Sequence, residues 1–141
     1  MFEKIVIAYD GSPHAEKALV TGLDIASKYR AKVHIVEVVD TSLLAGMGLT
    51  PIPQSVIDQL FTKARKDVES ARERAAKMGV DAEGNVLEGD PATVILDFIN
   101  KVDAKLIVTG TRGLSTWKKI FIGSVSSRIV RESKIPVLIV K

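Results

Sequence analysis

Leu106-Ile107-Val108-Thr109-Gly110-Thr111-Arg112-Gly113, continued by Leu114-Ser115-Thr116-Trp117-Lys118-Lys119-Ile120-Phe121-Ile122 to Gly123-Ser124, is the stretch on which the reading of this chain turns. Its first four residues are apolar and β-branched enough to form a buried strand. Gly110 and Gly113 then turn the chain, and Gly123-Ser124 opens Val125-Ser126-Ser127-Arg128-Ile129-Val130-Arg131, which reads as a helix. Glycines allow positive φ and a close approach of backbone N–H groups to a ligand. A helix start adds unpaired N–H donors and partial positive charge. Together they suit an anion, most naturally phosphate. Arg112, Lys118 and Lys119 add cationic charge to the same loop, or are solvated basic residues. A plainer reading exists, two turns and a helix cap, and the rest of the chain decides between them.

Moving outward, the apolar runs alternate with helical patterns. Ile5–Tyr9 is a strand covered on both faces, broken by Asp10-Gly11-Ser12-Pro13. Ser12 suits an N-cap and Pro13 the first helical position. The helix that follows places Ala15, Ala18, Leu19, Gly22, Leu23 and Ala26 on one face. Lys32–Val39 is the second strand, with His34 and Glu37 as polar breaks. His34 reads as a hydrogen-bonded or partly exposed strand histidine rather than a catalytic base, and His14 has a similar bland reading. Asp40 to Pro53 is a long connection with Gly46, Gly48, Pro51 and Pro53, yet rich in Leu43, Leu44, Met47, Leu49 and Ile52. Such a loop is a lid, a contact surface or a satellite cluster packed on the body.

From Gln54 to Met78 runs the longest helix, with Val56, Leu60, Ala64, Val68, Ala71, Ala75 and Met78 in one stripe. Lys63–Asp67 and Glu73–Lys77 are i,i+4 pairs for its exposed side, and Gly79 ends it. Asp81–Glu88 is a polar strand suited to a sheet edge. Asp90-Pro91 starts a helix that buries Val94, Ile95, Phe98, Ile99 and Val102. Lys105–Thr109 is the fourth strand and Ile135–Val140 the last. The order β-α-β-α-β-α-β-α-β argues one α/β domain, residues 1–141, with a parallel sheet wrapped by helices.

Composition narrows the function. The 141 residues are 46% hydrophobic, ample for a core. Without cysteine, and with only His14 and His34, thiolate or zinc chemistry is disfavoured. The net charge of +3 is mild and the basic residues are interleaved with acids. With only four Phe, two Tyr and one Trp, nucleic-acid binding is not expected. Neither a signal peptide nor an apolar run of about 20 residues is visible, so no membrane role and a cytoplasmic location are expected.

The spacing G-x2-G-x9-G-S from Gly110 to Ser124 resembles the nucleotide-binding signature of the universal stress protein family, in its ATP-binding branch. The resemblance extends over nearly the whole chain. Asp10-Gly11-Ser12 with Ala15, Ala18 and Leu19 is similar to the family's opening; Gly89-Asp90-Pro91-Ala92 with Ile95 to its third crossover; Ile135–Val140 to its last strand. It implies an open five-stranded parallel sheet of order 3-2-1-4-5 with helices on both faces, a Rossmann-like fold of the adenine nucleotide alpha hydrolase type. It also implies ATP, with Mg or Mn, as the ligand. Residue by residue, it places Asp10 where a carboxylate accepts hydrogen bonds from ribose hydroxyls or a metal-bound water. Ala8 falls at the adenine pocket, and Val38, or Val39 in the alternative register, at the backbone that pairs with the adenine edge. Thr109, Gly110 and Gly113 match the ribose and phosphate turn, and Gly123, Ser124 and Val125 the helix start that holds phosphates, with Ser126 adding a hydroxyl. The Arg112 phosphate role lies outside the family's glycine pattern.

In open α/β sheets ligands sit beyond the carboxyl ends of strands where the order reverses, which for this order lies between strands one and four. No G-x-x-x-x-G-K-[ST], G-x-G-x-x-G after strand one, or G-x-S-x-G occurs. With Asp10 as the one strong acid expected there, binding is favoured over turnover. The expectation is a dimeric, nucleotide-dependent regulator or sensor in stress response. The rivals are a slow ATPase or nucleotidyl-transfer enzyme, and a protein-interaction module whose loop is only structural. The apolar last strand, Ile135 to Val140, is an open edge that invites pairing, and the resemblance implies a homodimer through it; an unknown protein partner is a further expectation.

Overall fold

In the computed structural model the five strands form one parallel sheet of order β3-β2-β1-β4-β5. Described are residues 1–48, 51–111 and 124–141, with no account of the Leu43 and Leu44 side chains. The strands are β1 (Lys4–Ala8), β2 (Lys32–Val39), β3 (Asp81–Glu88), β4 (Leu106–Gly110) and β5 (Val137–Val140). The helices are α1 (Pro13–Tyr29), α2 (Thr41–Gly46), α3 (Gln54–Lys77), α4 (Pro91–Val102) and α5 (Ser124–Glu132).

Continuous apolarity in β1, β2 and β4 has the expected cause, since both faces are covered. On one face Ile5, Ile7, Val33, Ile35 and Val108 pack under α1 and α3. On the other, Val6, Val36 and Ile107 pack under Ile95, Phe98, Ile99 and Ile129 of α4 and α5. The parallel register sets Ile5 opposite Val33 and Leu106, and Ile7 opposite Ile35 and Val108. Both edges are the expected ones, β3 and β5.

The helix starts follow the sequence. The Ser12 hydroxyl accepts from Ala15 N at 3.2 Å, and Asp90 Oδ2 from Thr93 N at 3.1 Å, each followed by Pro at the first position. Gly79 takes a left-handed φ of 74° just after α3.

Four expectations change. The Asp40–Pro53 connection is not all loop, because Thr41–Gly46 forms α2. Within it Met47 is 67% exposed, so it is no satellite core residue, and Leu49 lies outside the described residues. The last strand is shorter than Ile135–Val140: Pro136 has no N–H to give, and its carbonyl alone joins the sheet, accepting from Ile107 N at 3.1 Å. In α4, Val94 and Val102 are only half-buried, and Ala92 takes a core place instead. Met78 ends outside the α3 stripe at 49% exposure, because the helix has already closed.

Candidate functional site

The β1–β4 reversal gathers the described members of the expected set, Ala8, Asp10, Val38, Thr109, Gly110 and the start of α5, at one end of the sheet. β1 stops at Ala8, and Tyr9 N still donates to Val36 O at 2.8 Å. The chain then leaves the sheet, so Asp10 belongs to the turn rather than to the strand. Asp10 is exposed, and its Oδ1 accepts from Ser12 N at 2.9 Å, which fixes the turn into α1. Ala8, Val38 and Val125 are half-buried against the α4/α5 core, all on one side of the sheet. Thr109 is buried on β4. Small apolar side chains and an exposed carboxylate therefore lie at the same end of the sheet.

Gly110 of the glycine signature and Ser126 just beyond it have local reasons to be what they are. Gly110 closes β4 with no left-handed φ; its need is space. A Cβ there would stand 2.6 Å from the His14 carbonyl oxygen and 2.8 Å from its carbon, both backbone atoms of α1. Ser126 is buried and donates its hydroxyl proton to Gly110 O at 3.0 Å, so its donor ties α5 to the end of β4. Thr109 Oγ1 makes a longer bond, 3.3 Å, to the same carbonyl. Ser124 begins α5 and is exposed. Arg112, Gly113 and Gly123, with Lys118 and Lys119, lie outside the described residues.

His14 is more than a bland first-turn residue. Its Nδ1 is 2.9 Å from Thr111 Oγ1, so it braces the start of the β4–α5 connection, while Thr111 N donates to Val140 O at 3.2 Å. His34 lies toward the other end of β2. It is buried edge-on to Phe98 and 3.4 Å from Glu83, with Nδ1 unbonded. Burial pushes its pKa down, against the pull of Glu83. The expected hydrogen-bonded or partly exposed histidine is thus a buried ring near the start of β2, where burial disfavours its charged form.

Glu37 escaped the sequence reading as a site residue. It is buried on the α1/α3 face directly behind Val38. Lys63 Nζ of α3 reaches it at 3.5 Å, reaches Asp67 Oδ2 at 2.6 Å, and donates to the Asp10 carbonyl at 3.1 Å. The Lys63–Asp67 pair expected on an exposed side thus faces inward at Asp67. Burial and the neighbouring Asp67 push the Glu37 carboxyl up to about 8, with Lys63 opposing. The signal available in the sequence was the charged break in an otherwise apolar strand.

An open parallel α/β sheet with a crevice at its topological reversal defines the class of fold. The family model described as "Universal stress protein family" matches residues 1–141. Universal stress protein YxiE of Bacillus subtilis is 37% identical over 150 residues, covering all of both chains. The chain belongs to the universal stress protein family. Among solved structures, a universal stress protein in complex with cAMP is 29% identical with a TM-score of 0.69, covering 99% of this chain and 96% of that one. A universal stress protein from Archaeoglobus fulgidus in complex with dAMP is 26% identical with a TM-score of 0.75, covering 100% of each. Among the described residues no helix is long and apolar enough to cross a membrane.

Proposed function

We propose that this chain binds an adenine nucleotide at the β1–β4 crevice and works as a nucleotide-dependent regulator or sensor, with ATP and Mg or Mn as the full ligand and little or no hydrolysis. The observation that carries this reading is the convergence of Ala8, Asp10, Val38, Thr109 and the start of α5 at one sheet end, in a chain similar to proteins solved with cAMP and dAMP. Ala8 and Val38 flank the base, and Asp10 takes the ribose hydroxyls. Thr109, Gly110, Gly113, Gly123, Ser124 and Val125 carry the ribose and phosphates, with Arg112 as added positive charge and Ser126 holding Gly110 in place. A divalent ion would be held mainly by phosphate oxygens and water, and would supply charge neutralisation. The regulator acts in the cytoplasm as a homodimer joined through β5, where the half-buried residues Val137–Val140 form an edge.

The test is the mass of nucleotide released on acid denaturation of freshly purified protein, paired with thermal unfolding with and without Mg-ATP, cAMP and AMP. A ligand at about 100 times its Kd adds about 2.7 kcal/mol, a shift of several degrees for a domain of this size. Binding that survives Gly123→Val unchanged would remove the helix start from the site. Released ADP or AMP with steady turnover would favour the ATPase reading. Neither released nucleotide nor a shift would leave the loop structural.

A further inference from the structure

We propose that Lys63, seated between the Glu37–Asp67 carboxyl pair and the Asp10 carbonyl, is a positioning residue for the nucleotide site and couples nucleotide binding to the charge of that pair. The inference rests on the nucleotide reading above. Its geometry is independent of it.

The Asp10–Gly11 turn is held from behind by α3. Lys63 Nζ donates to the Asp10 carbonyl at 3.1 Å and to Asp67 at 2.6 Å. Gly11 has a left-handed φ of 78°, and a Cβ on it would meet both Asp67 carboxylate oxygens at 3.3 Å, so the turn sits directly on that carboxylate. The Asp10 carboxylate and Lys63 therefore share one turn, the first on the crevice side and the second on the α3 side. Among the described residues the charged groups acting on Glu37 are Lys63 and Asp67, both from α3. β3 sets Val86 opposite Glu37, and just past β1 stands Tyr9, whose phenol bonds Glu16 and feels Asp67.

One buried carboxyl, Glu37, and one half-buried carboxyl, Asp67, face one ammonium. Glu37 Oε1 has no donor among the described residues, although it is buried. A proton on the pair supplies the missing hydrogen bond, Glu37 O–H to Asp67, and leaves the cluster neutral with Lys63. The raised Glu37 pKa, about 8, agrees with this state. A cavity of about 440 Å³ beside Lys63 and Asp67, lined also by Asp58, Gln59, Thr62 and Lys66, opens the Asp67 side of the pair to solvent. Loss of that proton in mild alkali makes the cluster net negative behind Asp10. Both Asp10 and a triphosphate are anions, so the added charge opposes the ligand and draws Lys63 from the Asp10 carbonyl toward the pair.

The experiment is calorimetric titration of Mg-ATP and of AMP into the whole chain between about pH 7 and about pH 9.5, a window in which phosphate ionisation is essentially complete. Wild type should lose about threefold to tenfold in affinity across it. Glu37→Gln keeps an N–H donor toward Asp67 at every pH, and should hold the wild-type neutral-pH affinity through the whole range. Lys63→Met should bind weakly throughout, and a thermal unfolding scan on each variant establishes that it is folded. Wild-type binding with the same pH slope in Glu37→Gln, or full affinity in Lys63→Met, overturns the coupling and leaves the nucleotide site standing. No binding by wild type at any pH overturns the nucleotide reading, and the coupling with it.

Discussion

α1 and α3 cover the same face of the sheet and hold it by opposite means. α1 is fitted by absence of side chain. Gly22 lets it drop onto Ile7, where a Cβ would stand 2.5 Å from the Ile7 Cδ1, and Gly110 lets the end of β4 run against the His14 backbone. α3 presents a stripe of Ala64, Val68, Ala71 and Ala75, and reaches past it with Lys63 and Asp67 to Glu37 and with Arg74 to Glu16. Steric fit has no dependence on pH or salt, whereas charge contacts have both. The helix that starts beside the crevice is therefore the rigid one, and the helix behind it is the one that solution conditions can loosen.

The sharpest way to break this contrast is Gly110→Ala. The new methyl collides with backbone that no rotamer change can move, so we expect a loss of about 3 kcal/mol in denaturant unfolding. A loss under about 1 kcal/mol would mean that α1 is not tightly fitted after all. Gly22→Ala is the milder version, since the clash is with the end of Ile7. Ile7 is fully buried and has little room to turn, so overpacking should cost about 1 to 3 kcal/mol. The better helix propensity of alanine returns up to about 1 kcal/mol of it. Neither loss should vary with pH between 5 and 9, as roughly expected for uncharged contacts.

The α1 side of this contrast was legible in the sequence and the α3 side was not, for a physical reason. Ala15, Ala18, Gly22 and Ala26 repeat on one helical face, and small residues at that spacing state a close approach by themselves. The caps at Ser12 and Asp90 and the β-α alternation are equally local, which is why the succession of elements came through, whereas the strand order came from the family resemblance. Glu37 and Lys63 are distant in sequence, and Lys63 already has an i,i+4 partner in Asp67, so the pattern is satisfied without Glu37. His14 and Thr111 meet across most of the chain's length, and nothing in either neighbourhood announces it. α2 is six residues long and lies among glycines and prolines that read as loop. The crevice itself was placed by the family resemblance and the strand order, not by any one residue.

On the α3 side, Glu37→Gln gives the next effect in size. Glu37 ordinarily titrates near 4.5 when unfolded and is held up to about 8 in the fold. A raised carboxyl pKa means that the stability present in acid is lost as pH rises from the unfolded value through the folded one. Wild type and the glutamine variant should therefore match near pH 4 and diverge with rising pH. Linkage sets a ceiling of roughly 5 kcal/mol, and relaxation beside the exposed Lys63 lowers this. The variant should be more stable by about 2 kcal/mol above pH 8, read from urea midpoints across the range. Parallel curves would show that Glu37 carries no extra proton, and would remove the main reason to call α3 the adjustable helix.

The smallest effect separates the two charge contacts of α3 from one another. Lys63 and Arg74 are eleven residues apart, about three helical turns, so both leave the same face. Arg74 meets Glu16 of α1 at 2.5 Å, with both side chains well exposed at 40% and 38%. Burial works against the charge of Glu16, but the Tyr9 hydroxyl and Arg74 outweigh it and hold the carboxyl below its usual range. An exposed pair of this kind is worth less than about 1 kcal/mol, and salt of roughly 1 M screens most of it. Arg74→Met should therefore cost under about 1 kcal/mol at low salt and almost nothing at high salt, because its stem can still pack and Tyr9 keeps Glu16. A loss of about 2 kcal/mol that persists in salt would move the weight of α3 to this end of the helix. The Lys63 end would then be free to respond to a ligand at Asp10 without carrying the fold.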